Sequence, residues 1–197
     1  MSTDQQFRVA VLGVISLATM IAVYHRTRAA AGSPPVSRQH ESLLLGAALR
    51  IGGLVLWLTT FAYLVAPALV QFASTLLPTA VRWGGVVISM PGLALMQWTL
   101  ANLGKNLTDT VETRHDATLI TTGPYRWVRH PYYVAAAILI LATTLISTNL
   151  IIGSSGLVVL VLLAIRTPQE EQMLAQRFGT AYEDYQAKTG RFIPKLK

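Results

Sequence analysis

Four stretches of this chain contain no Asp, Glu, Lys or Arg: residues 9–25, 51–81, 83–104 and 131–165. No other feature restricts the fold as strongly. A helix crossing about 30 Å of hydrocarbon needs about 20 apolar residues. Inside a bilayer every backbone polar group must be satisfied internally, which favours helices. The first three stretches each supply one span, at about 7–24, 48–70 and 82–101. Pro67 lies near the end of the second, and Pro91-Gly92 is expected to kink the third. The fourth stretch has 35 residues, and a single helix of that length would measure about 52 Å. It reads better as two spans, 131–147 and 150–166, joined by a turn at Ser147-Thr148-Asn149. The fold class is therefore all-α: a polytopic integral membrane protein of about five transmembrane helices, treated as one membrane domain over 1–197.

Composition agrees. Of 197 residues, 52% are hydrophobic and 13% are charged, against about 25% charged in soluble domains. A disordered chain, a disulfide scaffold and a soluble nucleic-acid binder are excluded, and no nucleic acid is expected as a partner. With no Cys, the chain has no thiol nucleophile, Cys-zinc site or iron–sulfur cluster. The four His residues are too scattered to suggest a metal site. The first apolar stretch lacks a small-residue cleavage pattern and runs into His25-Arg26-Thr27-Arg28, so it is expected to remain as a span.

Basic residues orient the spans. Segments 25–42, 102–130 and 166–197 hold 3, 4 and 6 Lys/Arg, whereas the alternate segments hold only Arg8 and Arg82. Arg50 lies within a span, near enough to its end to snorkel. Thirteen against two places the three long polar segments on the cytoplasmic side. Polar chemistry is expected there, in elements 102–133 and 166–194, with a helical C-terminal segment.

Two of these segments carry chemistry-bearing residues. In Leu119-Ile120-Thr121-Thr122-Gly123-Pro124-Tyr125-Arg126-Trp127-Val128-Arg129-His130-Pro131-Tyr132-Tyr133, Gly-Pro forms a turn and Pro131 suits a first helical turn. Tyr125, Arg129, His130 and Tyr133 are thereby crowded at the start of the fourth span. The same residue types also serve as interfacial anchors. In Arg166-Thr167-Pro168-Gln169-Glu170-Glu171, Thr167 and Glu170 have capping-box spacing, and Pro168 fits a first helical position. Thr180 and Glu183 repeat that spacing after Gly179, so two short helices are expected. Leu174, Phe178, Tyr182 and Tyr185 would form their shared apolar stripe. Of the two adjacent glutamates, one can cap a helix while the other serves a ligand. Arg166, at the hydrocarbon edge, calls for an anionic partner.

Gly123-Pro124-Tyr125-Arg126-x-x-Arg129-His130-Pro131-x-Tyr133, then Arg166-x-x-x-Glu170-Glu171, Phe178-Gly179-x-x-Tyr182-x-x-Tyr185 and Arg191-Phe192-x-Pro194, resembles the isoprenylcysteine carboxyl methyltransferases. More loosely, it resembles the wider group of membrane methyltransferases that includes the phospholipid N-methyltransferases. The resemblance covers about residues 98–194. It implies S-adenosylmethionine as cofactor and a lipophilic or prenylated acceptor entering from the bilayer among membrane lipids. It also implies roles residue by residue: Thr118, Leu119, Ile120, Tyr125, His130, Pro131, Tyr132, Tyr133 and Glu170 at the cofactor, and Arg166 at the acceptor. Where the family has His, this chain has Ala117. That makes His115 a further candidate, beside Arg129 and Glu171.

A carboxylate acceptor is ionised at neutral pH and needs positioning rather than a base. Arg166 can supply that. An amine acceptor needs a proton acceptor, for which His130 or Glu171 would serve. Carboxyl O-methylation of an isoprenylcysteine-like substrate is thus the first reading. Another lipophilic N-, O- or S-methylation is the alternative, and a nicotinamide-dependent sterol-type reductase is a more distant one. A transport role is disfavoured because only Arg50 is charged within the spans.

Overall fold

The computed structural model describes residues 1–31, 43–107 and 118–195. Its helices are α1 (Thr3–Ala30), α2 (Leu43–Val65), α3 (Thr79–Leu103), α4 (Pro131–Ser147), α5 (Leu150–Phe178) and α6 (Thr180–Lys188), with no strand among the described residues. Four of them, α1, α2, α3 and α5, are long and apolar enough to cross a membrane. The fifth expected span, α4, has 17 residues with the expected bounds. At about 26 Å it lies at the short end of a crossing length. In α1, α2 and α5 only 17% of the most apolar window is buried. Side chains such as Trp57, Phe61, Leu157 and Val161 are left facing outward. Apolar surface on this scale calls for lipid around it.

Local chemistry explains the boundaries. Ser2 and Gln5 form a capping box on α1, with Gln5 N donating to Ser2 Oγ and Ser2 N to Gln5 Oε1. α2 stops at Val65, short of the expected residue 70, and the chain passes through short 3-10 turns at Pro67–Leu69 and Gln71–Ala73. Pro91 sits inside α3 without ending it. The hairpin between α4 and α5 turns where expected: Thr148 takes a left-handed conformation, and Asn149 caps α5 by accepting from Ile151 N and Ile152 N. Fully buried Asn149 also donates to the Val70 carbonyl at 2.8 Å, tying the hairpin to the loop after α2.

Two sequence expectations are corrected here. Thr167 and Pro168 start no new helix. α5 runs unbroken to Phe178, 12 residues past the expected end at 166, with Pro168 inside it. The Thr167 hydroxyl bonds back to the Leu163 carbonyl instead of capping, the kind of internal satisfaction that lets an apolar helix carry a proline. Likewise Gly179, at φ 54°, occupies the N-cap of α6, and Thr180 is already helical. The capping box expected at Thr180 and Glu183 is absent, because only glycine takes that left-handed turn without a steric penalty. The tail therefore holds one short helix rather than two.

α1 and α3 run parallel, as the Asp4–Arg82 pair near their starts and the His25–Gln97 contact farther along both show. α3 packs chiefly on α4, α5 on both α2 and α4. Glycine permits the closest of these approaches. A Cβ on Gly85 would lie 2.9 Å from the Ala142 carbonyl oxygen, and one on Gly92 2.9 Å from Ile138 Cγ2. Seven residues apart, the two glycines share one face of α3.

Candidate functional site

The site is assembled at the start of α4. Gly123, at φ 59°, opens a 3-10 turn over Gly123–Arg126, where a side chain would collide with Asn102. That turn buries Pro124 and Tyr125 and leads to His130, the N-cap of α4, followed by Pro131 in the first helical position. Because α5 returns antiparallel to α4, its continuation beyond Ile165 carries Arg166, Glu170 and Glu171 past His130 and Tyr133.

Glu170 is the first hub. Tyr133 Oη donates to its carboxylate, 2.8 Å from each oxygen. Arg166 Nε lies 3.4 Å from Glu170 Oε1, one helical turn away, and His130 Nδ1 lies 3.6 Å from Oε2. The His130 ring stacks on Tyr133 at 5.4 Å, and Phe192 packs against both rings. Side-chain exposure is 9% for His130, 11% for Arg166 and 18% for Glu170. The cluster is therefore poorly hydrated.

Glu171 is the second hub and has a different job. Arg129 Nε donates to it at 2.8 Å, Arg191 at 2.6 and 3.2 Å, and His130 Nε2 lies 3.3 Å away. Arg129 also donates to the carbonyls of Gln186 and Thr189. Backbone bonds from Arg129 N to Gly190 O and from His130 N to Arg191 O strap the C-terminal tail across the start of α4. Tyr185, its hydroxyl pushed up to about 12 by burial, is a neutral donor to the Tyr125 carbonyl at 2.7 Å. In this arrangement Glu171, a candidate ligand contact or base, is engaged by the strap. Its carboxylate is committed to two guanidinium groups, which favour its charged form and occupy its lone pairs. Arg129 is equally committed to this strap.

The other sequence candidates divide. Tyr125 is buried beside the cluster, within reach of the Glu170 charge. Tyr132 turns toward the core formed by Met96, Leu100 and Ala135. Thr118 exchanges hydrogen bonds with Asn106 after α3. Leu119 and Ile120 follow it, half-buried. Among the described residues, none of these three hydrogen-bonds to the Glu170 cluster. His115 lies outside the described residues. Arg191 and Phe192 were not among the expected site residues, although the Arg191-Phe192-x-Pro194 block was their signal.

An apolar cavity of about 300 Å³ adjoins the cluster. It runs between Val134 and Ala137 of α4 and Leu160, Leu163 and Ala164 of α5, and Tyr133 and Phe192 border it. One face of Tyr133 thus belongs to the groove, while its hydroxyl belongs to Glu170.

Residues 85–176 match the profile of the isoprenylcysteine carboxyl methyltransferase (ICMT) family. The chain is 34% identical over 116 residues to a protein-S-isoprenylcysteine O-methyltransferase of Tribolium castaneum, covering 57% of this chain and 41% of that protein. It is 31% identical over 117 residues to the Dictyostelium discoideum protein of the same name, covering 58% and 49%. The human counterpart is 30% identical, with 57% and 41% covered. The chain thus spans about half the length, or less, of these curated relatives. In structure it resembles the eukaryotic intramembrane Ras methyltransferase ICMT, with a TM-score of 0.62 at 22% identity, over 98% of this chain and 68% of that one. That likeness establishes the fold as the all-helical architecture of a multi-pass integral membrane protein.

Proposed function

Because residues 85–176 match the profile of the isoprenylcysteine carboxyl methyltransferase family, we propose that the chain is a member of it: a membrane methyltransferase that uses S-adenosylmethionine and esterifies the carboxylate of a lipid-tailed, isoprenylcysteine-like acceptor. One observation carries the reading: the Arg166–Glu170–Tyr133–His130 cluster shares Tyr133 with an apolar groove between two helices. A charged reaction centre and a lipid-compatible groove with a common wall suit an acceptor with an anionic head and an apolar tail.

The residues fit the cofactor. Glu170, with both oxygens oriented by Tyr133, offers a carboxylate to a cationic or hydroxylated group, and the His130, Tyr133 and Phe192 rings provide flat apolar faces. S-adenosylmethionine supplies a methyl group on a sulfonium, whose charge vanishes together with the acceptor's, so a poorly hydrated site favours the transfer. Arg166 holds the acceptor carboxylate through charge-assisted hydrogen bonds. Glu170, one helical turn away, holds the guanidinium in the cluster. An amine acceptor would need a base; of the two candidates, Glu171 is already bound to Arg129 and Arg191, and His130 has both ring nitrogens beside the glutamates. The site therefore favours an acceptor that is ionised beforehand. The basic bias of 13 against 2 supports a cytoplasmic location for this end of the bundle.

The test uses the full chain purified in detergent. S-adenosylhomocysteine should bind saturably and NADPH should not, and a farnesylated cysteine analogue should become a methyl ester. Binding of NADPH in preference to S-adenosylhomocysteine would overturn the reading. So would methylation of a phospholipid amine with no esterification of the analogue.

A further inference from the structure

The two basic residues that depart from the charge bias, Arg8 and Arg82, meet at the opposite end of the bundle. The α4 helix separates that end from His130 by about 25 Å. There they border a cavity of about 470 Å³, with Tyr63 from the end of α2 and Ser74 and Thr75 from the following loop. This is the size of a ligand cleft.

The charge there is not balanced internally. Arg82, only 12% exposed, is fixed by donating from Nε to the Ile146 carbonyl at 3.0 Å and from Nη1 to Asp4 at 2.7 Å, over the Phe7 ring. Asp4 is 78% exposed, so its partner charge is largely screened. Arg8 adds a second guanidinium against that single carboxylate. The start of α3 beside the cavity carries no side-chain cap, adding the positive end of a helix dipole.

Tyr63 supplies the independent observation. It is 93% buried by accessible area, being 7% exposed, and lines the cavity. Among the described residues its hydroxyl faces the Arg82 guanidinium, which can only donate to it, and finds no acceptor for its own proton. The charges of Arg82, Asp4 and Arg8 all act on it. A buried donor without an acceptor is costly and rare. Next to two guanidiniums, the missing partner has the chemistry of an acceptor anion.

We infer that Arg8, Arg82 and Tyr63 form a phosphate-binding site at the end of the bundle opposite the methyl-transfer cluster. The shared ligand chemistry is a phosphate oxygen that accepts from the Tyr63 hydroxyl and neutralises the guanidiniums. A phospholipid headgroup and free phosphate are its two sources. The site is independent of the methyl-transfer reading.

The experiment is native mass spectrometry of the full chain in neutral detergent, titrated with phosphatidylglycerol, with inorganic phosphate, and with diacylglycerol as the phosphate-free control. One equivalent of phosphatidylglycerol should be retained, and diacylglycerol should not. Tyr63→Phe and Arg8→Gln should each weaken retention roughly tenfold or more, with unchanged thermal midpoints and unchanged methyl transfer. Saturable binding of inorganic phosphate with the same variant dependence would also support the site and assign it to free phosphate. Equal phosphatidylglycerol retention by the parent and both variants would overturn it, marking the lipid as non-specific and the Tyr63 hydroxyl as water-bound. Diacylglycerol binding as well as phosphatidylglycerol would overturn it too.

Discussion

Replacing Glu171 by Gln should release the C-terminal tail, while the same change at Glu170 should not. Glu171 is 5% exposed and Arg129 10%, and they meet at 2.8 Å. Removing one partner of such a buried pair leaves an uncompensated charge and costs about 3–5 kcal/mol. Gln retains one acceptor oxygen, which argues for the low end, about 3 kcal/mol. The contact to Arg191, 43% exposed, adds little because solvent screens it. The stranded Arg129 regains water only when Thr189–Arg191 lifts away from Arg129 and His130. The whole penalty therefore falls on the strapped state, and about 3 kcal/mol multiplies the open population by about 150. Limited trypsin digestion reads this directly, since Lys188, Arg191 and Lys195 are in or beside the strap. When reclosing outpaces cleavage, the cleavage rate follows the open population. Glu171→Gln should be cut about two orders of magnitude faster at these sites. Glu170→Gln should be cut at the parent rate yet lose S-adenosylhomocysteine affinity. Tail cleavage of Glu171→Gln within threefold of the parent would refute the reasoning. Equal acceleration by the two variants would refute the division of labour between the glutamates.

Three further outcomes follow from the same geometry. Arg166→Ala should lose about 30- to 1000-fold in turnover, equivalent to about 2–4 kcal/mol, with S-adenosylhomocysteine affinity retained and only partial recovery in Arg166→Lys; steady-state kinetics with a farnesylated cysteine analogue checks it. Tyr133→Phe removes the hydroxyl whose single proton is shared between the two Glu170 oxygens and should weaken S-adenosylhomocysteine binding roughly tenfold or more, measured by titration calorimetry. Gly85→Ala should lower stability by about 1–3 kcal/mol, because its Cβ would press on the Ala142 carbonyl. Gly84→Ala, with nothing within 4 Å, should be neutral or slightly stabilising, and thermal unfolding in detergent separates the two.

The features legible in the sequence were those whose cause is local along the chain. Charge-free runs placed the apolar helices, the fourth run being divided by its turn. Gly123-Pro124, His130-Pro131 and Ser147-Thr148-Asn149 set their turns, because each acts through its own backbone or that of its next neighbours. The residue types around Tyr125, His130, Tyr133, Arg166 and Glu170 carried enough chemistry to nominate the site. The tertiary structure decided whatever depended on a partner distant in sequence. Thr167, Pro168 and Glu170 spell a helix start locally. Yet α5 continues through them, and Glu170 is held by Tyr133, 37 residues away, rather than by a cap. Nothing in Glu170-Glu171 says which carboxylate faces a ligand. What the tertiary structure adds is that Arg129, 42 residues before Glu171, and Arg191, 20 after it, engage Glu171 and leave Glu170 to Tyr133. Arg8 and Arg82 read in the sequence as two stray charges. Only the parallel packing of α1 on α3 brings them to one cavity, beside a tyrosine hydroxyl whose lack of an acceptor among the described residues no sequence pattern records.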